Sequence, residues 1–278
     1  MLRAPSDQPI IDPNDEYAFY QTLIGSWPAS LCDRAVLSVE SLGSFRARVE
    51  KTMLKLIREA KVYTRWSNPD REYEELVSRF VARALDASGS NDFLDSFVPW
   101  MAEVARLGSA NSLIQLVLKM TIPGVPDIYQ GAETWDFSMV DPDNRRPVDF
   151  VQNRCLSETQ AGFSDMIRNW QSPGIKLFVT KRILDLRKEK PYLFSEGSYL
   201  PLSDLKMDRI CAFVREHSSA SILVAVLLPG ALENLVDGRF SDLLSGRWKS
   251  ILTEQTMQEG FHVGDLFQEA PFNVLLKV

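Results

Sequence analysis

The chain has 278 residues, 45% of them hydrophobic and 24% charged, with 37 Asp and Glu against 31 Lys and Arg, for a net charge of -6. That is the balance of a globular protein with room for one large or two modest domains, and dispersed basic residues in an acidic whole argue against a nucleic-acid surface. No apolar run approaches the roughly 18 residues that span a bilayer, and Met1 to Ile10 lacks the apolar core of a signal peptide. Three widely spaced cysteines, Cys32, Cys155 and Cys211, form no CxxC pair and suit a reducing compartment, so the expected location is cytoplasmic.

Met1 to Asp15 is rich in Pro and Asp without periodicity; its first residues are expected to be poorly ordered, and it can be read as the tail of something longer. Tyr17, Tyr20, Leu23 and Ile24 then fall at helical spacing behind Asp12 or Asn14 as cap, and Trp27-Pro28 ends this helix. A second helix is expected over Ser44–Ala60, with Phe45, Val49, Met53, Leu56 and Ile57 on one face and a solvated basic face opposite. The break TRWSNPD follows, then an amphipathic helix from about Pro69, with Asn68 as its N-cap. Arg65 and Trp66 in this break are either structural or suited to carbohydrate, because an aromatic ring stacks on a sugar's C–H face while charged donors bind hydroxyls. A helix from Asp92 through Ala105, bent or split by Pro99, and an apolar run over Ala110–Met120 complete a mainly helical first part.

Residues 121–150 read TIPGVPDIYQGAETWDFSMVDPDNRRPVDF and form the focus of the chain. Pro123, Gly124 and Pro126 stop the preceding helix, and Val125 to Tyr129 is expected to be a short buried strand. Behind it, Glu133, Asp136, Asp141, Asp143, Arg145, Arg146 and Asp149 crowd a Pro-rich loop at the strand's C-terminal end, where βα loops build the catalytic face of an α/β barrel. Gly174 to Lys190 is the helix that returns from this loop, ended by Pro191. From Tyr199 onward, β-branched and large apolar runs separated by Gly, Ser, Asp and Pro indicate a small antiparallel β domain, with His217 and His262 on the surface near polar turns. The expected fold is therefore α+β in three parts: a helical region over 1–120, the last strand-loop-helix unit of a (β/α)8 barrel over 121–194, and a β domain over 195–278.

The acids of the loop admit three chemical readings. Asp141 and Asp143 alternate like metal ligands, but the further ligands of a calcium loop are missing, and no metal or other cofactor is expected. As a glycosidase pair, two carboxylates would need opposed environments, whereas Arg145 and Arg146 hold nearby acids ionised. As binders, Asp and Arg in a Pro-framed turn either hydrogen-bond sugar hydroxyls or brace the loop by ion pairs. The residues alone leave catalysis and binding evenly weighted.

PGVPDIYQGAE resembles the last-strand motif of the α-amylase family of glycoside hydrolases, and its continuation WDFSMVDPDNRRPVDF is similar to the maltooligosyltrehalose synthase family. DPNDEYAFYQTLIGSWP, REAKVYTRWSNPDREYE, LRKEKPYLFSEGSYLPL and DLFQEAPFNVLLKV extend this resemblance, to the C-terminal part of the family, over essentially the whole chain. It implies an isomerase of trehalose biosynthesis, which turns the reducing-end α-1,4 link of a maltooligosaccharide into an α,α-1,1 link by intramolecular glucosyl transfer. Family members are longer, and their catalytic carboxylates lie on earlier barrel strands, the third in a His-Asp pair. Here His217 precedes Ser218 and His262 precedes Val263, so no catalytic residue is assigned and the chain alone is expected to be inactive.

What the resemblance implies for this chain is substrate binding. Tyr129, Gln130, Gly131 and Glu133 match the strand-end motif; Asp141, Asp143, Asn144, Arg145 and Arg146 match a loop on the donor side; Arg65 and Trp66 match a loop that covers the acceptor end. The implied partners are a maltooligosaccharide or α-1,4-glucan together with the missing barrel portion or a second copy, and neither nucleic acid nor membrane. Two alternatives stand beside this: a stand-alone carbohydrate-binding or regulatory protein derived from the enzyme, and a structural remnant without a ligand.

Overall fold

The computed structural model describes residues 11–202, 209–228 and 244–278. Two compact units emerge, Met1–Arg106 with Asp136–Pro147, and Leu107–Trp135 with Val148–Val278.

The first unit is helical. Its helices are α1 (Pro13–Ser26), α2 (Val39–Ala60), α3 (Arg71–Ala84) and the first half of α4 (Asp92–Thr121). Asp12 caps α1, its carboxylate accepting the Asn14 amide at 2.8 Å. Helix α2 starts at Val39 rather than Ser44, because Ser38 and Ser41 satisfy each other's backbone amides in a capping box. The expected cap Asn68 is corrected to Asp70, whose carboxylate takes the Tyr73 amide at 3.1 Å, while the Asn68 amide closes a turn onto the Arg65 carbonyl. Helix α4 runs through Pro99 without splitting and closes the expected gap after Ala105. The core forms around Trp27, which meets Phe45 and Phe97 edge-on at 5.2 and 5.0 Å and donates its indole N–H to the Leu31 carbonyl. Phe19, Leu23, Val49, Met53, Val77 and Val81 fill the same core, and Met139 joins it from the loop.

Among its described residues the second unit holds the rest of α4, four further α-helices and a sheet. The helices are α5 (Phe150–Ser157), α6 (Phe163–Arg168), α7 (Gly174–Glu189) and α8 (Pro191–Ser195). Pro191 ends α7 as expected but also opens α8, since proline at a first helical position sacrifices no hydrogen bond. The strands are β1 (Leu200–Pro201), β2 (Ile210–His217), β3 (Ala220–Leu227), β4 (Trp248–Ser250), β5 (Thr256–Met257) and β6 (Phe272–Lys277). They form one antiparallel sheet in the order β1-β2-β3-β6-β4-β5. Alternation along β3 splits its side chains between two cores. Ile222, Val224 and Val226 pack with residues of α4 and α7, whereas Leu223, Ala225 and Leu227 pack with Trp248, Phe261 and Phe267. The fold is α+β, a mainly helical N-terminal part followed by a six-stranded antiparallel sheet.

Val125–Tyr129 departs from expectation. No ladder pairs it among the described residues, and Val125 is 95% exposed rather than buried. An extended segment becomes a strand only when a neighbour takes its backbone groups, and Pro123 and Pro126 remove two donors here.

Candidate functional site

In the first unit, residues 136–147 are tied down by α2. The Arg48 guanidinium donates from Nε (2.9 Å) and Nη2 (2.8 Å) to the two oxygens of Asp143, and from Nη2 to the Phe137 carbonyl at 2.7 Å. Asp143 also takes the Met139 amide at 2.8 Å and lies 3.3 Å from Arg146 Nε. Two turns along the same helix face, Lys55 donates to the Asp141 carbonyl at 2.7 Å and to its carboxylate at 3.2 Å. Arg145 reaches the other Asp141 oxygen at 3.1 Å. The basic face of α2 is thus partly spent on the loop, a correction to its expected solvation.

Electrostatics follows from this geometry. Burial pushes the Asp143 pKa up, but the Arg48 hydrogen bond, the Met139 amide and the charges of Arg48 and Arg146 outweigh it, and the net value is below the ordinary carboxylate. Asp141 is lowered chiefly by the Lys55 hydrogen bond and charge, with a smaller contribution from Arg145. Both acids stay ionised, as the neighbouring arginines suggested, although Arg48 and Lys55 do most of the work. Asp143 spends both oxygens inside the loop and acts as its brace. Asn144, Arg145 and Arg146 remain exposed. Arg146 is oriented by its bonds to the Asp143 carbonyl and the Ser138 hydroxyl, at 3.0 and 3.1 Å.

A second group in this unit surrounds Trp66, which is 57% exposed. The Arg58 guanidinium lies 4.8 Å from the centre of its ring and is itself held by two bonds to Glu74, at 2.8 and 2.6 Å. The hydroxyl of buried Thr64 donates to the same carboxylate at 2.6 Å. These bonds, Arg58 first, hold Glu74 below its usual pKa against the opposing effect of burial. Arg65 is exposed and has no side-chain partner among the described residues.

The remaining candidates belong to the second unit. Tyr129 and Gln130 are exposed at a turn closed by the Ala132 amide on the Tyr129 carbonyl, at 2.8 Å. Gly131 has φ +89°, where a side chain is strained, and a Cβ there would lie 2.9 Å from Val148. Glu133 accepts from Asn153 Nδ2 at 2.9 Å, and Trp135 donates its indole N–H to the Trp170 carbonyl at 2.8 Å. The approach to this turn is clamped by two arginines that sequence reasoning did not single out. Arg187 donates to the carbonyls of Met120 and Gly124, and Arg215 to those of Thr121, Phe194, Gly197 and Ser198. Burial lowers the pKa of both, and Arg187 lowers that of Arg215 further. Among the described residues no three His, Cys, Asp or Glu gather as a metal site requires, and no helix is long and apolar enough to cross a membrane.

No protein-family model matches the chain. A Mycobacterium tuberculosis (strain H37Rv) protein described as a maltooligosyl trehalose synthase is 30% identical over 262 residues, 93% of this chain. A crystal structure of maltooligosyl trehalose synthase superimposes on 97% of the chain with a TM-score of 0.77 at 30% identity. The chain is homologous to a portion of maltooligosyl trehalose synthase. The structure of maltooligosyltrehalose synthase from Arthrobacter ramosus agrees, with a TM-score of 0.74 and 27% identity over 97% of the chain. The chain spans about a third of these relatives, 31% of the mycobacterial protein and 33% of the Arthrobacter one.

Proposed function

We propose that the chain supplies the glucan-holding rim of a site that rearranges the reducing-end α-1,4 link of a maltooligosaccharide into an α,α-1,1 link. The observation that carries this reading is the homology to maltooligosyl trehalose synthase over 93% of the chain. Residues 121–194 then correspond to the last strand-loop-helix unit of a barrel of the α-amylase type. Exposed Val125 would gain its strand neighbour from the remaining barrel portion or from a second copy. No carboxylate here is given a catalytic role: the low pKa values of Asp141 and Asp143 disqualify them as proton donors near neutrality.

The geometry of residues 136–147 suits binding instead. Anchoring by Arg48 and Lys55 holds Asn144, Arg145 and Arg146 outward before a ligand arrives, so little ordering entropy is lost when sugar hydroxyls bind. Tyr129, Gln130 and Glu133 form a second set of contacts. Arg65 and Trp66 form a third, with the open ring face of Trp66 toward a sugar and water restricted around it.

Residue-resolved amide NMR with maltopentaose tests the assignment. Millimolar binding that shifts residues 141–146, weakened about tenfold by Arg145→Ala, is expected for a charge-assisted hydrogen bond of about 1.5 kcal/mol. No non-reducing product is expected from the chain alone. Unchanged shifts in Arg145→Ala would remove the rim assignment, and turnover would refute the absence of a catalytic acid.

A further inference from the structure

A separate concavity lies between the N-terminal ends of α1 and α3, in the first unit. Its volume is about 500 Å³, within the range of small-ligand sites. Its floor is an aromatic pair, Tyr63 and Tyr73, with ring centres 4.5 Å apart and planes inclined by 31°. Tyr63 is 50% exposed. Neither ring is free to swing, since the Tyr63 hydroxyl donates to Asp12 at 2.9 Å and the Tyr73 hydroxyl to Asp15 at 2.5 Å. Both phenol pKa values are raised, that of Tyr63 chiefly by its hydrogen bond to Asp12 and that of Tyr73 chiefly by burial, with the Asp15 bond second.

The wall is as informative as the floor. Glu72 and Arg79 line it from one face of α3, with Leu76 between them. Both charged side chains are exposed, and neither has a hydrogen-bond or ion-pair partner among the described residues. An unspent acceptor and an unspent donor therefore flank a rigid, half-exposed aromatic face. An anion would be repelled by Glu72, Asp12 and Asp70, and a cation drawn to these acids would meet the unpaired Arg79 guanidinium. A neutral polyhydroxylated ring conflicts with neither: its C–H face covers Tyr63, while its hydroxyls donate to Glu72 and accept from Arg79.

We propose that this concavity is a second carbohydrate site, which takes a neutral hexopyranose unit stacked on Tyr63 and hydrogen-bonded between Glu72 and Arg79. Trp66 shares the turn with Tyr63 but does not line the concavity, and the site does not depend on the rim proposed above. Such a site would tether a long glucan at a point of its own.

Maltotriose titration of the whole chain, followed by amide shifts of residues 70–79, reads this site apart from Arg65, Trp66 and residues 141–146 of the rim. Tyr63→Ala and Arg79→Met should each weaken it about tenfold, and Tyr63→Phe, which keeps the platform, should stay within about threefold of the parent. Thermal melts verify that the variants are folded. Arg145→Ala should leave these shifts unchanged. If it weakens both sets equally, or if Tyr63→Ala and Arg79→Met change nothing, the second site is refuted whatever the rim does. If choline chloride shifts residues 70–79 more strongly than maltotriose, the site is for cations and the proposal fails. Shifts confined to residues 70–79 would sustain it while removing the rim reading.

Discussion

The brace between α2 and the loop is tested by Arg48→Met, which keeps most of the side-chain volume and removes the charge. Three hydrogen bonds disappear, two to Asp143 and one to the Phe137 carbonyl. Only 18% of the Arg48 side chain and 10% of the Asp143 side chain are exposed, so the carboxylate is left nearly buried. Breaking a buried pair by removing one partner costs about 3–5 kcal/mol. Here the Met139 amide and Arg146 remain, and a loss of about 2–3 kcal/mol is expected. The pH dependence has a definite sign. The folded-state pKa of Asp143 lies below its unfolded value, so its contribution is present above about pH 3.9 and fades as the pH falls through the folded value. The gap between parent and variant should therefore be full at neutral pH and shrink near pH 3. Urea denaturation followed by circular dichroism at both pH values measures it. A loss below about 0.5 kcal/mol at pH 7, or an equal loss at both, would refute the claim that this ion pair holds the loop.

Arg215→Met should cost about 3 kcal/mol, because the carbonyls of Thr121, Phe194 and Gly197 lose a buried donor; Arg215→Lys should recover less than half, lacking the planar fork. Urea midpoints distinguish the two. Gly197→Ala should destabilise by about 2 kcal/mol or more, since its Cβ would meet the Leu193 carbonyl oxygen too closely for the backbone to stay in place. In contrast, Gly25→Ala in α1 meets nothing within 4 Å and should stabilise by up to about 1 kcal/mol, seen as a raised melting temperature.

Local grammar determined much of this protein. The helical first part, the break before α3, the helix α7 and the antiparallel β character after Tyr199 all follow from periodicity, caps and breakers within a dozen residues, because a helix or strand face is written in the spacing of its own side chains. The errors at Asn68 and Ser44 have the same local origin: Asp70 and the Ser38–Ser41 pair were better-placed caps among several adjacent candidates. Even the ionised state of Asp141 and Asp143 was legible from the nearby arginines. Only the tertiary structure decided which cations hold them. Arg48 and Lys55 precede their partners by 95 and 86 residues, and on α2 they look like any solvated basic pair. The same holds for Val125–Tyr129, whose composition suits a strand but whose pairing depends on a neighbour elsewhere. Arg187 and Arg215 are a third case, since the carbonyls they satisfy come from separate turns. A side chain's type and spacing are local properties; the partner that takes its hydrogen bonds is set by how distant segments pack.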